Sequence, residues 1–486
     1  WTWVGGDVGS ANYLYKIAVP GTKGVSASSN DPGSRAAALN WLDNDGSFWV
    51  YGGDGYQGTS ESQKASGYLN DLWKYEFNQA TLFSKNTSEL NGLILGEGRW
   101  GDFDNDGDLD LLVSGLSNNN HGFNHIYKNK NGVFTSAEAT IRFQNYHKFS
   151  SVDWGDTDND GDLDLLVMGA DKNSHLYKNN NFGESQSLEQ RLLEFRNGSA
   201  RFADYDNDGD LDLYMFGAKS SDTANKAYQF YQNTNGKFTA VNNTGSNMES
   251  QARATLEWGD FDNDGDLDFL QCGYGSGANY VVLYKNIDGI FEEVNNTGFD
   301  QSENTQGKFI DYDNDGDLDI VLSGNRKTHL YKNQDGFFTK IEGSFLLDGV
   351  TEFAMSNGDM AVGDYDNDGD TDIAFNGELH FDGKGQGSSI RFFRNEYGSF
   401  SHKFNANGGE RGNIEFGDYD NDGDLDYFWL GSYKSEIYTN NIQSVNSNPS
   451  APSNLFTKIS GGSIVFSWDK STDIETPQAA LTYNLK

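Results

Sequence analysis

Asp102-Phe103-Asp104-Asn105-Asp106-Gly107-Asp108-Leu109-Asp110 places five carboxylates in nine residues, and the same pattern returns six more times along the chain. The copies begin at Asp102, Asp156, Asp204, Asp260, Asp311, Asp364 and Asp418, and none has lost a carboxylate. Recurrence at about 50 residues marks a propeller or a solenoid array, whose repeated unit cannot bury its own faces alone.

The spacing also points to an ion. Side-chain oxygens at positions one, three and five, a glycine at six for the sharp turn, a backbone carbonyl at seven and a carboxylate at nine form the ligand pattern of a calcium loop. The candidate ligands at position one are the seven starting aspartates. Position three holds Asp104, Asp158, Asp206, Asp262, Asp313, Asp366 and Asp420, and position five Asp106, Asp160, Asp208, Asp264, Asp315, Asp368 and Asp422. Position seven holds Asp108, Asp162, Asp210, Asp266, Asp317, Asp370 and Asp424, and position nine Asp110, Asp164, Asp212, Asp268, Asp319, Asp372 and Asp426. Hard oxygen ligands in a flexible loop suit Ca²⁺ better than Mg²⁺, so about seven calcium ions per chain are expected. A single acidic turn is an ordinary solvated loop, but seven clusters of five carboxylates would repel themselves open without a cation.

Position twelve of the first copy is Val113, not the glutamate of an EF-hand, and it lies in an apolar run. Runs such as Leu111 to Gly115 and Leu165 to Gly169 read as strands, so each loop joins two strands of a hairpin. A second signature follows each loop: Ile126-Tyr127-Lys128-Asn129 with Phe134, Leu176-Tyr177-Lys178-Asn179, Phe230-Tyr231-Gln232-Asn233 with Phe238, and Leu283-Tyr284-Lys285-Asn286 with Phe291. Leu330-Tyr331-Lys332-Asn333 with Phe338, Phe392-Phe393-Arg394-Asn395 with Phe400, and Ile437-Tyr438-Thr439-Asn440 continue it.

From Leu82 to about Asn441 these motifs resemble the FG-GAP/VCBS repeats of bacterial surface proteins, related to the calcium-loop blades of integrin α-subunits. The resemblance implies an all-β propeller of four-stranded blades, with the second signature on the third and fourth strands. Residues 1–78 resemble a kelch-type blade instead, through Trp1-Thr2-Trp3-Val4-Gly5-Gly6, Phe48-Trp49-Val50-Tyr51-Gly52-Gly53 and Leu69-Asn70-Asp71-Leu72-Trp73. Its Leu42-Asp43-Asn44-Asp45-Gly46-Ser47 aligns with the calcium loops, but Trp41 and Trp49 replace the outer aspartates, so no calcium is expected there.

Counting that blade gives eight, with residues 1–442 as one propeller in which Trp1 to Val4 pairs with the strand around Glu436 to Asn440 and closes the ring. The alternative is seven blades, with Ala80 to Lys85 completing the last and residues 1–78 left as a remnant of another propeller. Residues 443–450 read as a linker. Residues 451–486, with Ser463-Ile464-Val465-Phe466-Ser467-Trp468 and Leu481-Thr482-Tyr483-Asn484-Leu485, resemble the opening strands of a fibronectin type III sandwich, a domain of about 100 residues.

The formal charge of −38 is concentrated, since the loops hold 35 of the 73 acidic residues. No basic stripe offsets it, which argues against nucleic acid as a partner. The single Cys272 excludes an intrachain disulfide framework and reads as a core thiol. No run of about 20 apolar residues spans a membrane. Calcium sites of millimolar range make sense outside the cell, so an exported protein stapled by calcium is expected.

Some propellers resembling this family are polysaccharide lyases, but the sequence holds no catalytic constellation. His125, His175 and His329 occupy one repeated strand position, and His121, His147, His380 and His402 sit in no motif. The expected function is a non-enzymatic binding or adhesion module for a protein or glycan, within a larger secreted or cell-surface polypeptide. It resembles adhesins and type IX secretion cargo of gliding Bacteroidetes; a polysaccharide lyase and a structural spacer are the alternatives. The loops facing away from the calcium side, Gly53 to Gly67, Leu116 to Asn124 and Gly377 to Ile390, are expected to carry recognition, with Tyr56, Phe123, Tyr274 and Phe381 as candidate contacts.

Overall fold

A computed structural model describes residues 2–5, 35–36, 39–42, 48–57, 65–75, 82–469 and 471, apart from 120, 138–150, 170–173, 181–184, 220–225, 243, 246–251, 276–277, 302–304, 325–326, 348–350, 382–383, 443–449 and 461–462. Its secondary structure is entirely β among the described residues. Two compact units are present, Trp1–Leu82 and Phe83–Lys486.

Among the described residues the second unit contains five separate antiparallel four-stranded sheets and two more four-stranded sets, sheets one and seven below, joined where Lys434 pairs with Leu93. Sheet one is Leu93–Gly101, Asp110–Ser117, Gly122–Lys130 and Val133–Ser136. Sheet two is Ser151–Gly155, Asp164–Met168, His175–Asn180 and Ser185–Arg191. Sheet three is Arg196–Ala203, Asp212–Ala218, Lys226–Gln232 and Thr239–Val241. Sheet four is Ala252–Gly259, Asp268–Gly275, Ala278–Ile287 and Ile290–Glu293. Sheet five is Gln306–Ile310, Asp319–Ser323, Thr328–Gln334 and Phe337–Ile341. Sheet six is Met355–Gly363, Asp372–Phe381, Lys384–Glu396 and Ser399–Ala406. Sheet seven takes Asn413–Gly417, Asp426–Gly431 and Lys434–Asn440, and its fourth strand is Phe83–Lys85 from the start of the unit.

The first strands touch one another in chain order, and that of sheet seven touches that of sheet one, so the sheets follow a cycle. This is a β-propeller arrangement. Second strands are apolar on both faces because each sheet is covered on both sides: Leu111, Leu112 and Val113 are all fully buried. Each such side chain contributes about 1.5–3 kcal/mol on leaving water. Neighbouring sheets interlock where the first strand meets its loop. Gly155 has no room for a side chain, since a Cβ there would lie 2.9 Å from Phe202, and the contact between Gly417 and Trp100 repeats this across sheets seven and one.

The expected pairing of Trp1 to Val4 with Glu436 to Asn440 is not what the structure has. Thr2–Gly5 pairs with Ala65–Tyr75 inside the first unit, whereas Lys434–Asn440 pairs with Phe83–Lys85. The reason lies in the outer-strand aromatic of each repeat. Phe83 fills the seat that Phe134 or Phe291 fills elsewhere, stacking on Phe392 at 5.3 Å and meeting Tyr427 edge-on at 4.9 Å, and Lys85 bonds Glu436 at 2.6 Å. The pairing of Phe83–Lys85 with Lys434–Asn440 is the one the seven-blade alternative expected.

Arg35–Ala36, Leu39–Leu42, Phe48–Gln57, Ala65–Tyr75 and Thr2–Gly5 form one sheet in the first unit. The Asp43 to Ser47 loop lies outside the described residues. So does the third fibronectin-like strand, Leu481 to Leu485; Ser453–Ser460 and Ser463–Asp469 form an antiparallel pair.

Candidate metal centres

Every Asp-rich loop joins the first and second strands of its sheet, so all seven lie at the same end of their sheets. The loop is shaped by its own carboxylates. In the first copy, Asp102 accepts the amides of Asp106 and Gly107 at 3.1 and 3.0 Å, and Asp106 accepts that of Asp108 at 3.1 Å. Gly107 has φ +98°, and a Cβ there would meet nothing, so backbone conformation rather than space requires the glycine. Asp110 is fully buried and receives the amides of Phe103 at 3.0 Å and Asn129 at 2.6 Å.

These contacts aim oxygens at a common point. One oxygen each from Asp102, Asp104 and Asp110 lies within 4.8 Å of the others, as do those of Asp204, Asp206 and Asp212 and of Asp260, Asp262 and Asp268. In two further loops the trio is Asp156, Asp158 and Asp160, or Asp311, Asp313 and Asp315. The third-position carboxylates give the sharpest sign of a missing partner. Oδ1 of Asp104, Asp158, Asp206, Asp262, Asp313 and Asp420 is buried without a hydrogen-bond donor in each case. A buried carboxylate oxygen left unpaired is costly, and six occurrences at one position fit a cation in each loop.

Seventh-position side chains point elsewhere. Asp108 accepts Asn131 N at 2.7 Å and Asn421 Nδ2 at 3.0 Å, which leaves its carbonyl as the group offered to an ion. The pattern repeats at Asp210, Asp266 and Asp370.

The Tyr-Lys-Asn signature, read from sequence only as third-strand residues, turns out to support the loops. Lys128 bonds Asp104 at 3.0 Å, Gln232 bonds Asp206 at 2.6 Å, and Arg394 reaches Asp366 at 2.8 Å and Asp368 at 2.7 Å. Lys178, Lys285 and Lys332 pair with Asp158, Asp262 and Asp313. The signature asparagines Asn129, Asn179, Asn233, Asn286, Asn333, Asn395 and Asn440 donate their amides to the ninth-position carboxylates at 2.6–2.8 Å. Their Nδ2 groups reach into the preceding loop, as from Asn179 to Phe103 O at 2.9 Å, and Asn129 to Tyr419 O at 2.7 Å closes the set. The co-occurrence of this Asn with the loop, in all seven repeats, was the available sequence signal.

Burial dominates the electrostatics of the ninth position. It lifts Asp110, Asp212, Asp268 and Asp319 to about 7 and Asp426 to about 8, with nearby carboxylates adding to the effect. Asp264, by contrast, is lowered by its hydrogen bond to Lys285. A bound divalent ion would hold the raised groups ionised.

Among the described side chains, the repeated-position histidines do not share one set of partners. His125 bonds Ser136 Oγ at 2.8 Å, while His329 pairs with Asp300 at 2.7 Å, so equivalent positions have different partners. Cys272 is buried in the core between sheets four and five, where burial pushes its thiol up. Phe123 is half-buried and stacked on His125 at 5.2 Å, a wall rather than an open platform. The long loops expected at Gly53 to Gly67 and Gly377 to Ile390 are largely strand: pairing continues to Gln57 with Ala65 and to Phe381 with Lys384. Side chains of Tyr56, Tyr274 and Phe381 lie outside the description.

The FG-GAP-like repeat family matches residues 102–167, 157–215, 204–271 and 311–375, so the chain carries FG-GAP-like repeats there. No curated protein sequence matches. Among solved structures, an Agrocybe aegerita lectin that recognises non-reducing terminal N-acetylglucosamine is 17% identical over 64% of this chain and 80% of its own, with a TM-score of 0.42. Saccharomyces cerevisiae Sqt1 is 10% identical over 74% of this chain and 99% of its own, at 0.45. The six-bladed Aleuria aurantia lectin is 11% identical over 65% and 98%, at 0.37. Likenesses this distant do not bear on what this chain binds.

Proposed function

We propose that the second unit is a seven-bladed propeller stapled by calcium, one ion in each of the seven loops. On this reading it is a non-enzymatic binding module of an exported, cell-surface bacterial protein. The observation that carries the calcium assignment is the unpaired third-position Oδ1, buried in six loops without a donor. Ligands would be the side chains at positions one, three, five and nine and the carbonyl at seven. The ion would supply the positive charge that lets these carboxylates stay ionised and close together.

A protein or glycan ligand is assigned to the end of the sheets opposite the loops. A cavity of about 280 Å³ opens there, between the end of the second and the start of the third strand of sheet five. Asp300, Lys327, His329 and Lys340 line it. The Asp300 carboxylate is held by His329 at 2.7 Å, Lys340 at 3.1 Å and Tyr331 Oη at 3.2 Å, a fixed acceptor flanked by cations that suits hydroxyl-rich ligands. The hairpin of Ser453–Ser460 and Ser463–Asp469 fits the opening of a fibronectin-like sandwich.

Glycan and protein arrays probed with the calcium-loaded chain test the binding role. Binding that Asp300→Asn abolishes without changing the melting temperature is the expected result. Array binding that survives Asp300→Asn but disappears on altering calcium-face residues would move the site. Release of unsaturated products from polysaccharides would overturn the non-enzymatic reading.

A further inference from the structure

The fourth residue of each loop, always asparagine, is not a ligand in the calcium pattern, yet its geometry repeats from sheet to sheet. Asn105, Asn159, Asn207, Asn263, Asn314, Asn367 and Asn421 all have φ between 53° and 60°, a conformation that asparagine tolerates better than most side chains. That turn sends the side chain out of its own loop. Asn105 Nδ2 donates to Gly161 O at 2.9 Å and to Asp162 Oδ1 at 3.2 Å, the sixth-position carbonyl and seventh-position carboxylate of the next loop. The carbonyl bond recurs from Asn159 to Gly209, Asn207 to Gly265, Asn263 to Gly316, Asn314 to Gly369 and Asn367 to Gly423, at 3.1–3.4 Å. Asn421 completes it, donating to Gly107 O and Asp108 Oδ1, both at 3.0 Å.

Each asparagine therefore sits between the third- and fifth-position ligands of its own loop while holding the peptide that leads into the seventh-position residue of the next. Resting on the calcium reading above, we propose that these seven asparagines are positioning residues that couple neighbouring calcium sites, so that filling one loop preorganises the following one and the ring fills cooperatively. Fixing a loop's third and fifth residues fixes the asparagine between them. That asparagine then fixes the Gly-Asp peptide next door, and the ordering cost of the second site falls. The chain of bonds has no end, so no loop is exempt.

Isothermal calcium titration of the full chain, freed of metal, tests this directly. Wild type should bind with a Hill coefficient of about 2 or more, against a ceiling set by the number of sites. Asn105→Gly, Asn207→Gly and Asn314→Gly together keep the left-handed backbone and remove three donors. Four of the seven links remain, so this variant should bind the same number of ions with a clearly lower coefficient than wild type. Asn421→Gly alone gives a milder version, expected to lower the coefficient while leaving the fold intact. Equal steepness in wild type and variants overturns the coupling. So does a wild-type coefficient of 1 with seven ions bound, which leaves the calcium reading standing. No uptake of calcium by wild type removes both.

Discussion

Around the loop end of the propeller the chain repeats charge of one sign, whereas along the first strands it alternates sign. The residues three places before each loop are Arg99, Asp153, Arg201, Glu257, Lys308, Ala361 and Glu415. Neighbours pair directly: Arg99 bonds Glu415 at 2.6 Å across sheets one and seven, and Lys308 pairs with Glu257. An odd ring cannot alternate without a break, and Ala361 is that break. Asp359, two residues earlier, supplies the carboxylate that faces Lys308 and is held by Asn413 at 2.8 Å. Glu97 adds a link, bonding Arg99 at 2.7 Å, Arg201 and the Ser151 hydroxyl at 2.9 Å. Burial alone would raise Glu97, but Arg201 and Arg99 outweigh it and hold its carboxyl at about 2. The strand ring carries its counterions in the chain; in the loop ring Lys128, Lys178, Lys285, Lys332 and Arg394 each meet a third-position aspartate, and one such cation is outnumbered by the five carboxylates of its loop.

That contrast predicts different sensitivities, and the largest belongs to the loops. Chelation should lower the melting temperature by on the order of 20 °C, since each site contributes about 2.7 kcal/mol when calcium exceeds its Kd a hundredfold. A melting curve indifferent to EDTA would erase the distinction between the two rings.

Glu97→Gln should cost about 3–5 kcal/mol, because it leaves Arg99 and Arg201 facing one another in a buried setting. The loss should be equal with and without calcium, as the sites are separate. A penalty that appears only in EDTA would show the strand ring to depend on the loops.

A smaller effect is expected from pH. Without metal, burial pushes the ninth-position carboxyls Asp110, Asp212, Asp268 and Asp319 up to about 7 from an ordinary 3.8, so the folded state keeps protons that the unfolded state has released. Metal-free stability should therefore fall as pH rises from about 4 to 7. Calcium, by favouring the ionised form, should abolish the fall; a metal-free stability that rises across this window contradicts the burial argument.

Much of this was legible in the chain. The Asp-rich period gave the repeat, the strand placement and the carboxylates that gather in each loop, because each follows from spacing within one unit. What spacing could not give was pairing between distant segments: Phe83 belongs to sheet seven because of the aromatic seat beside Phe392 and Tyr427, and no periodicity records that choice. Nor did the alternation from Arg99 to Glu415 stand out, since its members are about 50 residues apart and meet only when the ring forms. Asn105 and its equivalents lie in full view within the motif, but their donors act on the next repeat rather than their own.

The central claim is that each loop holds one calcium ion through its unpaired carboxylate oxygens, and counting ions tests it most directly. Equilibrium dialysis of the full chain against saturating calcium, with the free ion subtracted, should return seven bound ions per chain, and six for Asp104→Ala. A count near zero, or an unchanged count after that substitution, would contradict the account.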